Sequence, residues 1–236
     1  MEIKKQNQEI SLNDGRTLGF AEYGSENGEP IFYFSGGNSS RIEGAWFEKE
    51  AIKRNIRLIA PDRPGFGLSS FQKNRELIDW SNDVIELADN LSINKFSIFG
   101  LSGGGPHVLA MANSNPERLK KVAIISGTAP PEMPNKLIGM WPPVKLIFST
   151  AEKFPKINRF LLKQMAGFYS NEEQMLKRMK QALPKPDVAL IENRPEIIKI
   201  FAISTKEAHR NGVDGDALEW QLYVNPWKFN LEDIQK

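Results

Sequence analysis

Phe96-Ser97-Ile98-Phe99-Gly100-Leu101-Ser102-Gly103-Gly104-Gly105-Pro106 decides how the rest of the chain is read. A short apolar run ends in Gly100-x-Ser102-x-Gly104, and a helix-like stretch from His107 to Asn113 follows at once. Gly-x-Ser-x-Gly between a strand and a helix is the setting of a nucleophile elbow. In so tight a turn the serine takes strained backbone angles, and glycines two before and two after it keep adjoining chains from colliding. The turn would lift the Ser102 hydroxyl above the carboxyl edge of a sheet. N–H groups of the starting helix would then face developing negative charge. Alone, the pentapeptide also fits a plain glycine-rich turn; the strand before it and the helix after it favour the elbow.

Upstream, Glu9–Leu12 and Thr17–Tyr23 are strand-like and flank Asn13-Asp14-Gly15, a hairpin turn signal. Ile31–Phe34 is a buried-strand run that stops at Ser35-Gly36-Gly37-Asn38-Ser39-Ser40. A flexible loop is one reading of these small residues. Its position one strand–helix–strand unit before the elbow favours the other, in which bare N–H groups at Gly36 and Gly37 face the site as an oxyanion hole requires. Arg41–Arg54 is helical in composition, and Ile56–Ala60 is a strand running into Pro61-Asp62-Arg63-Pro64-Gly65-Phe66-Gly67-Leu68-Ser69. Gly65-x-Gly67 is no dinucleotide fingerprint, because the third glycine is absent. Asp62 and Arg63 read as turn formers rather than catalysts. Leu77, Val84, Leu87, Ala88 and Leu91 recur at helical spacing, and Val122–Ile125 makes a strand after the elbow helix. Strands alternating with helices predict a mostly parallel sheet covered on both faces.

From Thr128 the texture changes. Pro130, Pro131, Pro134, Pro142 and Pro143 crowd a short region. Helix-like segments follow at Val144–Lys153, Ile157–Met165, Asn171–Leu183, Pro195–Ala208 and Asp216–Tyr223. The pattern predicts a core over 1–128, a helical cap over 129–229 and the start of a return to the core over 230–236. Met140, Trp141, Phe148, Phe168 and Trp220 are candidates for an apolar substrate pocket beneath the cap, with packing inside the cap as the plainer role for each.

The 236 residues suffice for one full core. The 31 basic residues nearly balance 29 acidic ones, which gives no electrostatic case for nucleic acid or an anionic membrane. No cysteine is present, so neither disulfides nor thiolate metal sites can form. Met1-Glu2-Ile3-Lys4-Lys5-Gln6 lacks the apolar segment of a secretory leader, and a cytoplasmic location is the expectation.

These residues resemble a serine-type α/β-hydrolase nearly end to end. The family's His-Gly-x-Pro-Gly loop matches Ser35-Gly36-Gly37-Asn38-Ser39, with Ser35 and Asn38 in place of its usual His and Pro. Its Asp-Arg-Pro-Gly-x-Gly-x-Ser turn matches Asp62–Ser69, and its elbow Gly100–Gly104. Asn225-Pro226-Trp227-Lys228-Phe229 and Leu231-Glu232-Asp233-Ile234 resemble the return from cap to core. The resemblance implies the α/β-hydrolase fold with a helical cap, Ser102 as nucleophile, the N–H groups of Gly37 and Gly103 as oxyanion hole, and Gly100 and Gly104 as elbow supports. It further implies a small-molecule ester or amide substrate and no cofactor. A serine at the elbow argues against epoxide hydrolysis and dehalogenation, for which the family uses a carboxylate there.

The family's chain order is Ser, then Asp or Glu, then His. The acid and base find no clear counterpart here. His107 lies five residues past Ser102 in the elbow helix, where packing is the expected role. His209 sits in Lys206-Glu207-Ala208-His209-Arg210, a charged and solvated-looking part of the cap. Glu132 is the carboxylate nearest the end of the strand after the elbow helix, with no histidine to orient. Two further strand–helix units of about 25–30 residues each are expected beyond Lys236. Without them Val122–Ile125 becomes an apolar sheet edge open to self-association or to a second polypeptide. Two readings stay open: a serine hydrolase whose acid and base lie outside this chain, and a catalytically silent protein whose pocket binds a small apolar ligand or a partner.

Overall fold

The computed structural model describes residues 5–169 and 171–234, without the side chains of 168 and 169. Strands β1 (Gln8–Ser11) and β2 (Thr17–Gly24) form the expected hairpin. Gly15 makes this turn possible at φ +84°, and Leu12 and Arg16 close it through a 2.8 Å N–H···O bond. β3 (Glu29–Phe34), β4 (Ile56–Pro61), β5 (Phe96–Leu101) and β6 (Leu119–Ile125) complete a sheet ordered β1-β2-β4-β3-β5-β6. β3 pairs in parallel with β4 and β5, and β5 with β6, while β2 runs antiparallel to β4.

Arg41–Arg54 was expected as one helix. Its first half winds tighter, as a 3-10 turn over Arg41–Phe47, before α1 (Glu48–Lys53). That half passes flat against β2: a Cβ on Gly44 would lie 2.6 Å from the Tyr23 ring. On the other face α2 (Asp79–Asn90) buries Trp80, Val84, Leu87 and Ala88 against Phe34, Phe96 and Ile98. α3 (Gly104–Ser114) leaves the end of β5. Both faces of the central strands are thus covered, which fixes β3 and β5 rigidly beneath the site.

Helices α4 (Pro142–Lys153), α5 (Pro155–Tyr169), α6 (Glu172–Ala182), α7 (Lys185–Asn193), α8 (Pro195–Ala208) and α9 (Asp214–Val224) follow without an intervening strand among the described residues. α7 has no counterpart in the sequence reading. Its prolines look like breakers, yet Pro186 sits in the first turn, where a missing N–H costs nothing. None of the described helices is long and apolar enough to cross a membrane. β6 pairs only with β5 among the described residues, and Val122, Ile124 and Ile125 are 39–47 % exposed.

Candidate active site

Ser102 stands at φ +50°, in the left-handed region that a residue bearing Cβ enters only under constraint. The constraint is visible on both sides. Its N–H donates to Ile125 O at 2.9 Å, and its carbonyl accepts from Gly105 N at 3.0 Å and Thr128 N at 3.1 Å. A Cβ on Gly100 would fall 2.7 Å from Gly104 O, and one on Gly104 would fall 2.2 Å from Phe34 O. Strand and helix therefore meet at backbone distance, and Ser102 is pushed outward. Its side chain is exposed, and Oγ makes no hydrogen bond among the described residues.

The loop after β3 meets this crest. A Cβ on Gly103 would lie 3.0 Å from Gly37 N, so the two peptide segments are in van der Waals contact. Neither the Gly37 nor the Gly103 amide has an acceptor among the described residues. Gly37 opens onto free space, with nothing within 4 Å of a Cβ built there. Two unspent N–H groups beside an exposed hydroxyl are what an oxyanion hole needs.

Two buried carboxylates brace this loop and crest. Glu43 accepts from Tyr33 Oη at 2.6 Å, Ser39 Oγ at 2.7 Å and Gly36 N at 2.8 Å. Burial holds its carboxyl above the ordinary range despite these donors. Glu219, on α9, reaches Arg63 Nε at 3.4 Å and His107 Nε2 at 2.9 Å and pairs with Arg75. Tyr223 Oη lies 2.5 Å from Glu219 Oε2 and 3.0 Å from the Gly103 carbonyl. Burial opposes ionisation of Glu219, but His107, Arg75 and Arg63 around it outweigh that and hold its carboxyl well below the usual range. Burial also pushes His107 down, against the pull of the Glu219 carboxylate beside it.

An apolar cavity of about 220 Å³ opens beside Asn38, between Trp141, Val144, Ile147, Met165, Phe201 and Trp220. Of the pocket candidates, Trp141 and Trp220 line it. Phe148 instead packs edge-on to Trp220 at 4.9 Å, and Met140 packs in the same cluster. The Phe168 side chain lies outside the described residues.

His107 is fully buried and turned into the core, in agreement with the packing role expected for it. His209, expected in solvent, is not solvated. Its side chain is 7 % exposed and lies between Thr205 O, 2.9 Å from Nδ1, and Asp216 Oδ2, 3.2 Å from Nε2. Burial works against its charge, but the Asp216 bond and charge prevail and raise it. Asp216 also accepts from the Asn38 amide, with its nitrogen turned toward the carboxylate, at 2.7 Å, so the loop after β3 and helix α9 share this carboxylate. Both imidazole nitrogens of His209 are engaged, and neither histidine touches Ser102. Glu132 is exposed.

A model of the alpha/beta hydrolase fold matches residues 29–192, more than half of the chain. The chain belongs to this family. An uncharacterized hydrolase, YcgS, of Bacillus subtilis (strain 168) is 28% identical over 196 residues, covering 78% of this chain and 66% of its own. A 3-oxoadipate enol-lactonase of Acinetobacter baylyi is 28% identical over 122 residues, 51% of this chain and 45% of its own. This chain thus spans about two thirds or less of the length of these relatives. Among solved structures, a hydrolase from Pseudomonas aeruginosa PA01 superposes with TM-score 0.63 at 16% identity, over 93% of this chain and 73% of that one. An epoxide hydrolase from Vigna radiata reaches 0.62 at 17% identity, over 94% and 73%. Within the α/β-hydrolase fold, backbone likeness therefore does not select a chemistry, and the side chains at the elbow must.

In this α/β-hydrolase chain the sequence reading missed Glu43, Arg75, Glu219 and Tyr223. A signal existed for Glu219: one carboxylate among Ala217, Leu218, Trp220, Leu222 and Tyr223 has no aqueous face to occupy. Its four-residue spacing from Tyr223 placed the two on one side of a helix. Nothing local marked Arg75, whose partner is 144 residues away.

Proposed function

We propose that the chain is a serine hydrolase acting on carboxylic esters, with amides as slower substrates. Ser102 Oγ attacks the carbonyl carbon, the alcohol leaves, and an acyl-enzyme on Ser102 is hydrolysed by water. The N–H groups of Gly37 and Gly103 hold the tetrahedral oxyanion. The single observation that carries this reading is the meeting of two unspent amides beside an exposed serine at φ +50°. The cavity between Trp141 and Trp220 suits an uncharged apolar group, because its lining holds no cation and a carboxylate would be stranded there. The domain limits proposed are a core over 1–128, a cap over 129–229 and a return over 230–236, with a cytoplasmic location.

The base and acid come from outside these 236 residues, since both histidines are committed elsewhere. Binding and the oxyanion hole alone leave roughly 10³–10⁴-fold acceleration over water. The test is stopped-flow mixing with p-nitrophenyl butyrate. A slow release of one nitrophenolate per chain, absent in Ser102→Ala, is expected. Release unchanged in Ser102→Ala would end the proposal. The occupied histidines also favour a second reading, in which the pocket binds a small apolar ligand without turnover; binding without any acylation would favour it.

The exposed strand β6 is proposed as a self-association edge of this chain. Val122→Lys is expected to lower its weight-average mass in sedimentation at tens of micromolar. An unchanged distribution would reject the edge as the contact.

A further inference from the structure

We propose that Arg63 is a positioning residue for the oxyanion hole, held in place by Glu219 of helix α9. The proposal rests on the reading of Gly37 and Gly103 as that hole. A peptide group is planar and trans, so its C=O and N–H point in opposite directions. Whatever grips the carbonyl therefore aims the amide. The N–H of Gly37 shares a peptide with the carbonyl of Gly36, and Arg63 Nη2 donates to that carbonyl at 2.8 Å. Arg63 Nη1 donates to the preceding carbonyl, Ser35 O, at 2.6 Å. One planar fork thus fixes two successive peptides, as a guanidinium can and an ammonium cannot.

The two halves of the hole differ in how they are held. The Gly103 N–H shares its peptide with Ser102 O, which main-chain donors Gly105 and Thr128 grip. The Gly36 carbonyl has no other donor among the described residues, so that peptide is aimed by a side chain alone. A cation on the carbonyl also polarises the peptide and makes its N–H a better donor.

Arg63 is 2 % exposed, and a guanidinium this deep needs a counter-charge. Glu219 supplies it through Nε at 3.4 Å, while the Phe66 ring lies 5.0 Å from the guanidinium carbon. Tyr223 Oη lies 2.5 Å from the same carboxylate and 3.0 Å from Gly103 O, in the peptide next to the hole and not in either donor peptide. Glu219 is therefore linked through Arg63 to the Gly37 amide, and seating of α9 sets that half of the hole.

The test compares Arg63→Gln, Arg63→Lys and Tyr223→Phe with the unmodified chain in three measurements. One is the rate of Ser102 modification by a fluorophosphonate. The second is affinity for 1-hexanol, followed by fluorescence of Trp141 and Trp220. The third is the amide proton shift of Gly37. Arg63→Gln should slow modification by about 10-fold or more, leave the hexanol affinity unchanged, and move the Gly37 shift. Arg63→Lys should recover part of both changes, and Tyr223→Phe should slow modification less. An unmoved Gly37 shift in Arg63→Lys overturns the proposal even if Arg63→Gln does not fold. So does a loss of hexanol affinity in step with reactivity, which marks a merely structural role. Failure of the unmodified chain to react at Ser102, with the Gly37 shift still governed by Arg63, would count against the nucleophile and not against the brace.

Discussion

Glu219→Gln is expected to lose about 3–5 kcal/mol of folding stability, the cost of removing one partner from a buried ion cluster. For a chain of this size that lowers the melting temperature by roughly 6–20 °C. The glutamine matches glutamate in shape and keeps one acceptor oxygen. What it removes is the charge that neutralises two guanidinium groups, Arg63 and Arg75, both buried. Arg75 already leaves Nε and Nη1 without partners among the described residues, so no spare acceptor takes over. The pH dependence separates the lost charge from the lost acceptor. Glu219 is held well below its unfolded value, so its contribution is complete above about pH 4.3. It fades as pH falls from there through the folded-state value. The gap between the two proteins in urea melts should therefore be constant near neutrality and close in acid. A gap that stays level down to pH 3 would mean that the lost acceptor oxygen, and not the lost charge, causes the difference.

How much of this was legible in the chain follows from the range of each interaction. The elbow is written in consecutive residues, because Gly100, Ser102 and Gly104 answer a local steric demand. The sheet followed from short apolar runs, and the hairpin from Asn13-Asp14-Gly15. The loop proposed to hold the oxyanion was legible as small residues in the right unit, though not the approach of Gly37 to Gly103, which depends on β3 and β5 being neighbours. The brace was illegible for the same reason: Arg63 meets carbonyls 27 and 28 residues earlier and a carboxylate on α9. As a member of a turn motif, Arg63 looked like turn chemistry. His209 was misjudged because Lys206, Glu207 and Arg210 around it suggest solvent. Helix α8 ends at Ala208, so the chain turns at His209, and Asp216 waits seven residues on to receive the ring. Beyond β6, apolar spacing located helices but could not rank aromatic side chains by which reaches the cavity.

The steric reading of the elbow makes the second large prediction. Gly104→Ala adds a single methyl group, and in most helices that change would stabilise the chain. Here the added carbon would sit 2.2 Å from Phe34 O, 2.9 Å from Phe34 C and 3.0 Å from Ser35 O. All three atoms are main chain, at the end of a central strand paired on both sides, so none can swing away. Relief requires α3 to back off from β3, which opens the contact between the crest and the loop carrying Gly37. Overpacking of this kind costs about 1–3 kcal/mol, and more where backbone must move. The expected result is a destabilised protein whose surviving folded fraction reacts with a fluorophosphonate at least tenfold more slowly, because the two amides no longer converge on one oxygen. Gly37→Ala supplies the contrast, since a Cβ there meets nothing within 4 Å and its φ lies outside the left-handed range. That variant should keep its melting temperature. If Gly104→Ala were as stable and as reactive as Gly37→Ala, strand and helix would not meet at backbone distance, and the strain at Ser102 would need another cause.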